Sequence, residues 1–316
     1  MNLPRLPIGD TIENGVDWIK ANLQWLLDLI ITVLSYPLDL IIGVLQFPPA
    51  LVTIAIFTLL AFALRSWQFG VFTLAGMLLI ESMELWPAAM STLGMILTAT
   101  LIIILLGVPI GILAARSDRV SSIVRPVLDF MQTMPAFVFL IPVVILFSIG
   151  VVPGTIATMI FAFAPVVRLT ELGIRQVDKE TVEAGVAFGG TAGQVLRGIQ
   201  LPLGLPTIMA GVNQVIMLAL SMAVIAGMVN AGGLGREVVA AISRVEVGNG
   251  FEAGLAVVVL AIFLDRLTGA IGQPTGKTLW TMLRDQMRTA RAQPGNDGAA
   301  GTEAAERVAG GPPKRL

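Results

Sequence analysis

Residues 130–167 read FMQTMPAFVFLIPVVILFSIGVVPGTIATMIFAFAPVV and contain no Asp, Glu, Lys or Arg. A membrane-spanning helix needs about 20 consecutive apolar residues, so this stretch is long enough for two passes through a bilayer. The segment SIGVVPG at residues 148–154 supplies glycine and proline for a turn between the passes. Because a charge at the bilayer centre costs roughly 2.5–3.5 kcal/mol, a run this long without charge predicts a pair of transmembrane helices.

The remainder of the chain has the same character. Of its 316 residues, 55% are hydrophobic and 13% are charged, and the apolar residues come in long runs. That composition is too apolar for an ordinary soluble domain and predicts an all-α polytopic membrane protein embedded in a lipid bilayer. Seven spans are predicted, at residues 48–64, 66–82, 86–115, 126–149, 152–170, 205–230 and 252–271.

The N-terminal segment, residues 1–46, is apolar but carries a stripe of polar side chains. They recur every three or four positions and are Asp17, Lys20, Gln24, Asp28, Thr32, Ser35 and Asp39. Such a stripe is typical of an amphipathic helix lying in the membrane interface, which is the arrangement we predict. The alternative is an eighth span, which would move the N-terminus to the other side of the membrane.

Basic residues are concentrated in alternate loops and set the expected orientation. The loops at 116–125 and 168–204 are rich in Arg and Lys, as is the C-terminal segment, whereas the loops at 81–86 and 149–153 have none. Since basic loops face the cytoplasm, these segments and the C-terminus are predicted to be cytoplasmic. Residues 273–316 are rich in Ala, Gly and Pro and are expected to form a mostly disordered cytoplasmic tail.

The amino-acid composition argues against an enzymatic active site in this chain. It has no cysteine and no histidine, so thiolate nucleophiles, imidazole bases and the commonest metal ligands are missing. The segment GQPTGKT at 272–278 has three residues between its glycines, whereas a phosphate-binding loop needs four. We therefore predict no catalytic residue, no metal site and no cofactor in this chain, and a net charge of −1 gives no indication of nucleic-acid binding.

One polar stretch, EAGVAFGGTAGQVLRGIQLP at 183–202, interrupts the apolar sequence. Asp178 lies just before this stretch and can cap a helix that begins at the next residue. Gly189 can end that helix in a left-handed conformation. A Thr-x-x-Gln capping box opening at Thr191 predicts a second short helix, which we expect to end at Pro202. The stretch therefore predicts two short helices on the cytoplasmic face, forming a docking element for another protein.

The same stretch resembles the signature loop of ABC importer permeases. That loop reads Glu-Ala-Ala, three residues, Gly, nine residues, Ile, one residue and Leu-Pro. The matching residues here are Glu183, Ala184, Gly189, Ile199, Leu201 and Pro202, and Gly185 replaces the second alanine. The resemblance implies a type I ABC importer transmembrane domain at 47–272, with a coupling loop at 171–204 that docks on an ATPase. Glu183 is expected to position that loop by an ion pair or a cap.

Three other stretches indicate which subfamily of ABC importer permeases the chain resembles. Residues 128–154, 213–229 and 231–238 are similar to permeases that import glycine betaine, proline betaine or choline. The resemblance implies a multi-pass subunit of the bacterial plasma membrane that forms a homodimer. Its implied partners are a cytoplasmic ABC ATPase, which binds ATP and Mg, and an extracytoplasmic substrate-binding protein.

A betaine carries a permanent positive charge, so its path must be wet or lined with dipoles and polarisable groups. Polar residues and methionines inside the spans are the candidates, although helix packing is an open alternative for each. The predicted pathway residues are Gln132, Met134, Pro135, Asn213, Gln214, Met217 and Ser221. Pro135 and Pro142 are also expected to break one of the spans.

Three rival functions are considered. A permease for methionine or another amino acid would have the same architecture, and the coupling loop alone does not exclude it. An ion-driven secondary transporter would need intramembrane acids or paired inverted repeats, and neither is evident in the sequence. A membrane-embedded enzyme is disfavoured by the lack of His, Cys and clustered acids.

Overall fold

A computed structural model of the protein describes residues 8–272, which are helical almost throughout. The predicted tail at 273–316 lies outside the described residues. In chain order the helices are α1 (Ile8–Asn22), α2 (Gln24–Gln46), α3 (Ala50–Leu64), α4 (Trp67–Ser82), α5 (Trp86–Arg116), α6 (Asp118–Thr133), α7 (Ala136–Phe147), α8 (Val151–Arg175), α9 (Lys179–Ala187), α10 (Ala192–Val195), α11 (Leu201–Ala226), α12 (Gly233–Arg244) and α13 (Val247–Gly272). A π-helical turn joins α10 to α11, and a 3-10 turn follows α11.

Length and apolar composition identify the helices that can cross a membrane. Within residues 8–272, five segments qualify, namely α2, α5, α8, α13 and the segment 192–229 that contains α11. Helices α3 and α4 are apolar but have only 15 and 16 residues. At 1.5 Å per residue they measure about 22–24 Å, which is less than the roughly 30 Å of a hydrocarbon core.

The span predicted at 126–149 is two helices rather than one. Helices α6 and α7 meet at 99°. Met134 is extended, with φ −75° and ψ 134°, because a residue before proline avoids the helical conformation, and Pro135 then precedes α7. The predicted break at Pro135 is confirmed, whereas Pro142 remains inside α7.

Helix α2 packs lengthwise against α5. At one end the Gln46 side-chain amide donates to the Pro87 carbonyl oxygen and to the Ser91 hydroxyl, each at 3.0 Å. One turn earlier, Ile42 fills the space beside Gly94, where an added Cβ would lie 2.5 Å from its Cγ1. Helix α2 therefore runs antiparallel to α5, and this packing, together with its length, favours a membrane-spanning α2 over the predicted interfacial helix.

Glycines bring the central helices α5, α8 and α11 into close contact. An added Cβ at Gly107 of α5 would lie 2.3 Å from Cγ1 of Val166 in α8. Between α8 and α11, an added Cβ at Gly204 would lie 2.8 Å from the carbonyl oxygen of Gly173. Lipid tails are as apolar as side chains, so helices in a membrane associate through such small residues rather than through the hydrophobic effect.

The antiparallel pair α8 and α11 defines two ends of the bundle. Gly173 and Gly204 meet at the end that carries α9, which we call the loop end. Gly154 meets Ala226 and Ala231 at the other end, which carries α12 and which we call the far end. The predicted docking element and α12 thus lie at opposite ends of the helices that connect them.

The contact between Gly173 and Gly204 gives a stability prediction. Gly204→Ala would force backbone atoms apart and should lower the free energy of unfolding by about 1–3 kcal/mol, since overpacking costs that much. The measurement is thermal or denaturant unfolding of the purified protein in detergent.

Gly254→Ala in α13 is the matched control, because nothing lies within 4 Å of its added Cβ. That variant should be as stable as the unmodified protein or more so, because alanine is the better helix former by about 1 kcal/mol. Equal stability of the two variants would contradict the close packing of α8 on α11.

Candidate functional site

The loop at the loop end begins as its sequence predicts. The Asp178 carboxylate accepts a hydrogen bond from the backbone N–H of Glu180 at 3.3 Å and caps α9. At the other end of the helix, Gly189 has φ +84°, a conformation that glycine adopts without strain. The backbone N–H of Gly190 then donates to the carbonyl oxygen of Gly185 at 3.1 Å. The predicted start and end of this helix are both confirmed.

The second helix of the loop starts with the predicted capping box. The N–H of Gln194 donates to the Thr191 hydroxyl at 3.4 Å, and the N–H of Thr191 donates to the Gln194 side-chain oxygen at 2.8 Å. Satisfying these free N–H groups fixes the point at which the helix begins. Helix α10 itself has four residues and passes directly into the turn that follows.

The predicted end of this second helix at Pro202 is wrong. The π-helical turn Leu196–Gln200 leads straight into α11, and the N–H of Leu201 donates to the carbonyl oxygen of Leu196. Pro202 therefore sits in the first turn of α11, where a missing N–H is tolerated. The loop and the long helix α11 are consequently one continuous rod.

Gly185, which replaces the second alanine of the loop pattern, allows close packing within the loop. An added Cβ there would lie 2.5 Å from Cδ1 of Ile199 and 3.5 Å from Cγ2 of Val195. The glycine lets Ile199 approach α9 closely, and Val195 is buried beneath it. These contacts hold α9 against the rod that continues into α11.

The outer face of α9 is exposed and partly apolar. Phe188, the residue that directly follows α9, is 94% exposed, and Val186 in the last turn of the helix is also exposed. Ala184 and Glu183 are exposed as well, and the Glu183 side chain makes no ion pair or hydrogen bond with any residue in 8–272. The expected anchoring of Glu183 within the chain is therefore not observed, and its carboxylate is free to meet a partner.

Behind the loop lies an ion-pair cluster that the sequence analysis missed. Glu171 is 5% exposed, and its Oε1 accepts from Arg125 at 2.9 Å, from Arg175 at 3.0 Å and from the Ser121 hydroxyl at 2.8 Å. Arg125 and Ser121 belong to α6, so the cluster ties that helix to the end of α8. The i,i+4 pair Glu171–Arg175 at the end of an apolar helix is the signal that could have indicated it.

Further ion pairs extend this attachment. Arg175 also pairs with Asp118 at 2.8 Å and donates to the Ala114 carbonyl oxygen at 2.8 Å. Arg168 pairs with Asp129 closer to the break between α6 and α7. A buried carboxylate with several donors is stabilised only while all of them remain in place, so α5, α6 and α8 are held together where α9 begins.

Three of the predicted pathway residues share one face of α11. Gln214, Met217 and Ser221 are all exposed, and their spacing of three or four residues places them along one stripe. The Ser221 hydroxyl donates to the Met217 carbonyl oxygen at 3.1 Å, so it is satisfied inside the helix. The stripe is open along the length of this single chain.

The remaining predicted pathway residues lie elsewhere. The Asn213 side chain donates to Asp265 Oδ1 at 2.8 Å and accepts from the Thr268 hydroxyl at 2.8 Å, which ties α11 to α13. Packing accounts for Asn213, and it does not belong to the open stripe. Three others, Gln132, Met134 and Pro135, lie at the break between α6 and α7.

The backbone contact inside the loop gives a second prediction. Gly190→Ala would place a Cβ 2.6 Å from the carbonyl oxygen of Gly185, so the end of α9 must move. We expect faster hydrogen exchange of the amides at 184–190 than in the unmodified protein, measured by mass spectrometry.

Gly193→Ala in the same loop is the control, because nothing lies within 4 Å of its added Cβ. Its exchange rates should match those of the unmodified protein. If Gly190→Ala also leaves exchange unchanged, the close turn after α9 is not what orders the loop.

Comparison with known proteins agrees with this architecture. Residues 107–275 match the family described as "Binding-protein-dependent transport system inner membrane component". The chain is 48% identical to the glycine betaine transport system permease protein OpuAB of Bacillus subtilis, over 84% of this chain and 94% of that protein. It is 45% identical to the glycine betaine/proline betaine permease protein ProW of Escherichia coli, over 85% of this chain and 76% of that protein.

A solved structure shares the fold at low sequence identity. The methionine ABC transporter MetNI, in an inward-facing conformation, matches 60% of this chain and 94% of its own with a TM-score of 0.52 and 20% identity. That match confirms the predicted all-α type I importer fold. Together with the family match and the two relatives matched over more than four fifths of this chain, it shows that the chain belongs to the inner membrane components of binding-protein-dependent transport systems, which are permease subunits of ABC importers.

Proposed function

We propose that this permease imports glycine betaine, proline betaine or a related small quaternary ammonium compound such as choline. The observation that carries the substrate is the 45–48% identity to permeases named for glycine betaine, over more than four fifths of the chain. The alternative substrate, methionine, is supported only by a fold match at 20% identity. Family membership implies that an ATPase and a substrate-binding protein complete the transporter.

The loop end is the proposed contact with the ATPase, which would bind ATP and Mg. The exposed side chains of Phe188 and Val186 offer an apolar centre, and Glu183 offers a charge beside it. A cleft of about 670 Å³ next to the loop is lined by Arg116 and Arg197. An ATPase surface with an apolar groove, a basic side chain opposite Glu183 and acidic side chains opposite the arginines would complement this combination.

The continuity between the loop and α11 supplies the mechanism. A displacement of the loop by the ATPase moves α11 with it, because no flexible joint separates α10 from α11. Binding energy shifts the conformation only if the ATPase prefers one state, so closure of the ATPase on nucleotide would favour the state in which α11 has moved.

The stripe of Gln214, Met217 and Ser221 is the proposed wall of the pathway. We propose a homodimer in which the stripes of two copies face each other across a two-fold axis, since each stripe is uncovered in the single chain. Polar and thioether groups can solvate a quaternary ammonium without binding it tightly. Neither the single tyrosine nor any of the five tryptophans lies in α11, so we assign the aromatic cage for tight recognition to the binding protein.

We also propose the orientation of the subunit in the bacterial inner membrane. The loop end carries Arg116, Arg119, Arg175 and Lys179, whereas the turn between α7 and α8 at the far end has no basic residue. Basic loops face the cytoplasm, so the loop end and the C-terminus would be cytoplasmic and α12 would be external.

Uptake into proteoliposomes tests the function. The permease is reconstituted with a candidate ATPase inside the vesicles, and labelled glycine betaine is added with the binding protein outside. ATP-dependent uptake is expected, with methionine as the comparison substrate. Uptake driven by an ion gradient without ATP would overturn the proposal, and preference for methionine would overturn the substrate assignment.

The exposed aromatic ring of the loop gives a prediction for ATPase docking. Phe188→Ser removes the largest apolar contact and should weaken ATPase binding by at least about tenfold, as for an aromatic hot spot. Co-purification and a titration of ATPase against the detergent-solubilised permease measure this change.

Phe47→Ser serves as the control, because Phe47 is 91% exposed between α2 and α3 at the far end. It should leave ATPase affinity unchanged. Loss of affinity in both variants, or in neither, would contradict the assignment of Phe188 to the ATPase contact.

A further inference from the structure

A cluster of exposed apolar side chains lies where α12 meets α13 at the far end. Ile242, Val245, Val247 and Phe251 are each at least 70% exposed. We call these four residues the α12–α13 corner. Scattered apolar residues are ordinary on a protein surface, but four within ten positions form a patch of the kind that marks an interaction site.

The backbone at Val245 is unusual. It has φ +59° and ψ +34°, a left-handed conformation in which a β-branched residue is an outlier. The conformation is held by the Val245 N–H, which donates to the Ile242 carbonyl oxygen at 3.2 Å, and by the Glu246 N–H, which donates to the Ala241 carbonyl oxygen at 2.9 Å. Glycine or asparagine would adopt this conformation with less strain. The chain instead has valine here, and its apolar side chain is exposed.

Charged side chains alternate with the apolar ones around the corner. Arg244, Glu246 and Glu252 are interleaved with its four residues in the sequence. A cleft of about 200 Å³ beside the corner is lined by Glu237, Glu246 and Glu252 together with Arg244. Burying the corner in lipid would carry these charges into the hydrocarbon, which is costly.

A protein partner satisfies both features. An apolar centre with a polar rim is the usual anatomy of a protein interface. Glu237 pairs with Arg236 at 3.0 Å, which leaves Glu246 and Glu252 against Arg244. The remaining acidic excess is complemented by a partner that presents a lysine or arginine there.

The corner is mounted rigidly on the pathway helix. An added Cβ at Gly235 of α12 would lie 2.2 Å from the Ala223 carbonyl oxygen of α11, and one at Gly227 would lie 2.2 Å from the carbonyl carbon of Gly235. The backbone N–H of Leu234 donates to the Thr92 hydroxyl of α5 at 2.8 Å. Backbone packed on backbone leaves no side chain to absorb a displacement, so α12 and the end of α11 move together.

We propose that the α12–α13 corner is the docking surface for the extracytoplasmic substrate-binding protein, and that α12 passes this contact to α11. The partner carries an apolar patch for the corner and a basic side chain for the acidic cleft. This proposal rests on the proposed function, because it requires the far end to be external. It assigns to one corner the contact that family membership implies only in general.

Cysteine labelling tests the surface directly, because the chain has no cysteine of its own. Val245→Cys and the control Phe47→Cys each provide a single thiol at the far end. Each variant is reconstituted with the ATPase in nanodiscs, and the rate of labelling by a water-soluble maleimide is measured. Betaine-loaded binding protein at about ten times its dissociation constant should slow labelling at 245 about tenfold and leave labelling at 47 unchanged.

Other outcomes overturn the proposal. No protection at 245, or equal protection at both positions, would place the binding protein elsewhere. A thiol at 245 that fails to react even without binding protein would mean that the corner is covered by lipid or by the second permease copy. Wild-type uptake, measured in parallel, separates this failure from failure of the proposed function, since active uptake with an unprotected thiol refutes only the corner.

A second variant keeps the test independent of position 245. Glu252→Lys reverses one charge of the acidic cleft without touching the apolar residues. The concentration of binding protein needed for half-maximal stimulation of ATP hydrolysis should rise about tenfold, while hydrolysis without binding protein stays unchanged. An unchanged half-maximal concentration would remove the cleft from the interface.

Discussion

The π-helical turn Leu196–Gln200 is the feature on which the rest of the structure depends, because it joins the loop to α11 without a break. The π-helical turn shifts the hydrogen-bond register, and Pro202, which has no N–H to donate, follows it without ending the helix. The result is one rod that begins at the capping box of Thr191 and ends beside α12. A permease needs such a rod, since energy released at one face of the membrane must change access at the other.

Close backbone contacts attach the rod to neighbouring helices at both of its ends. Gly204 packs on Gly173 at the loop end, and Gly227 packs on Gly235 at the far end. Helices in lipid gain little from apolar association, so small residues and satisfied polar groups decide which helices move as a unit. The Glu171 ion pairs serve the same end, because they hold α6 to α8 beside the loop.

Local chemistry was predictable from the sequence, and distant contacts were not. The caps at Asp178 and Thr191 follow from residues within one turn of each, and the structure confirms both. Pro202 was misjudged because the rule for proline describes a regular α-helix, whereas a π-helical turn precedes it here. Asn213 was predicted to line the pathway because it is a polar residue inside a span. Its hydrogen-bond partner Asp265 lies 52 residues away, so the sequence alone did not indicate the contact. The packing of α2 along α5 could not be predicted either, because the polar stripe in the sequence does not show which helix α2 contacts.

The rigidity of the rod can be measured directly in the assembled transporter. Spin labels are attached at Gly193→Cys, where an added Cβ meets nothing within 4 Å, and at Met228→Cys, which is exposed just after the other end of α11. Double electron–electron resonance then compares the nucleotide-free and ATP-bound states. The distance within one subunit should stay the same while the distance between the 193 positions of the two copies in the proposed homodimer changes. A change or broadening of the distance within the subunit would show that the rod bends, and that the loop does not drive α11.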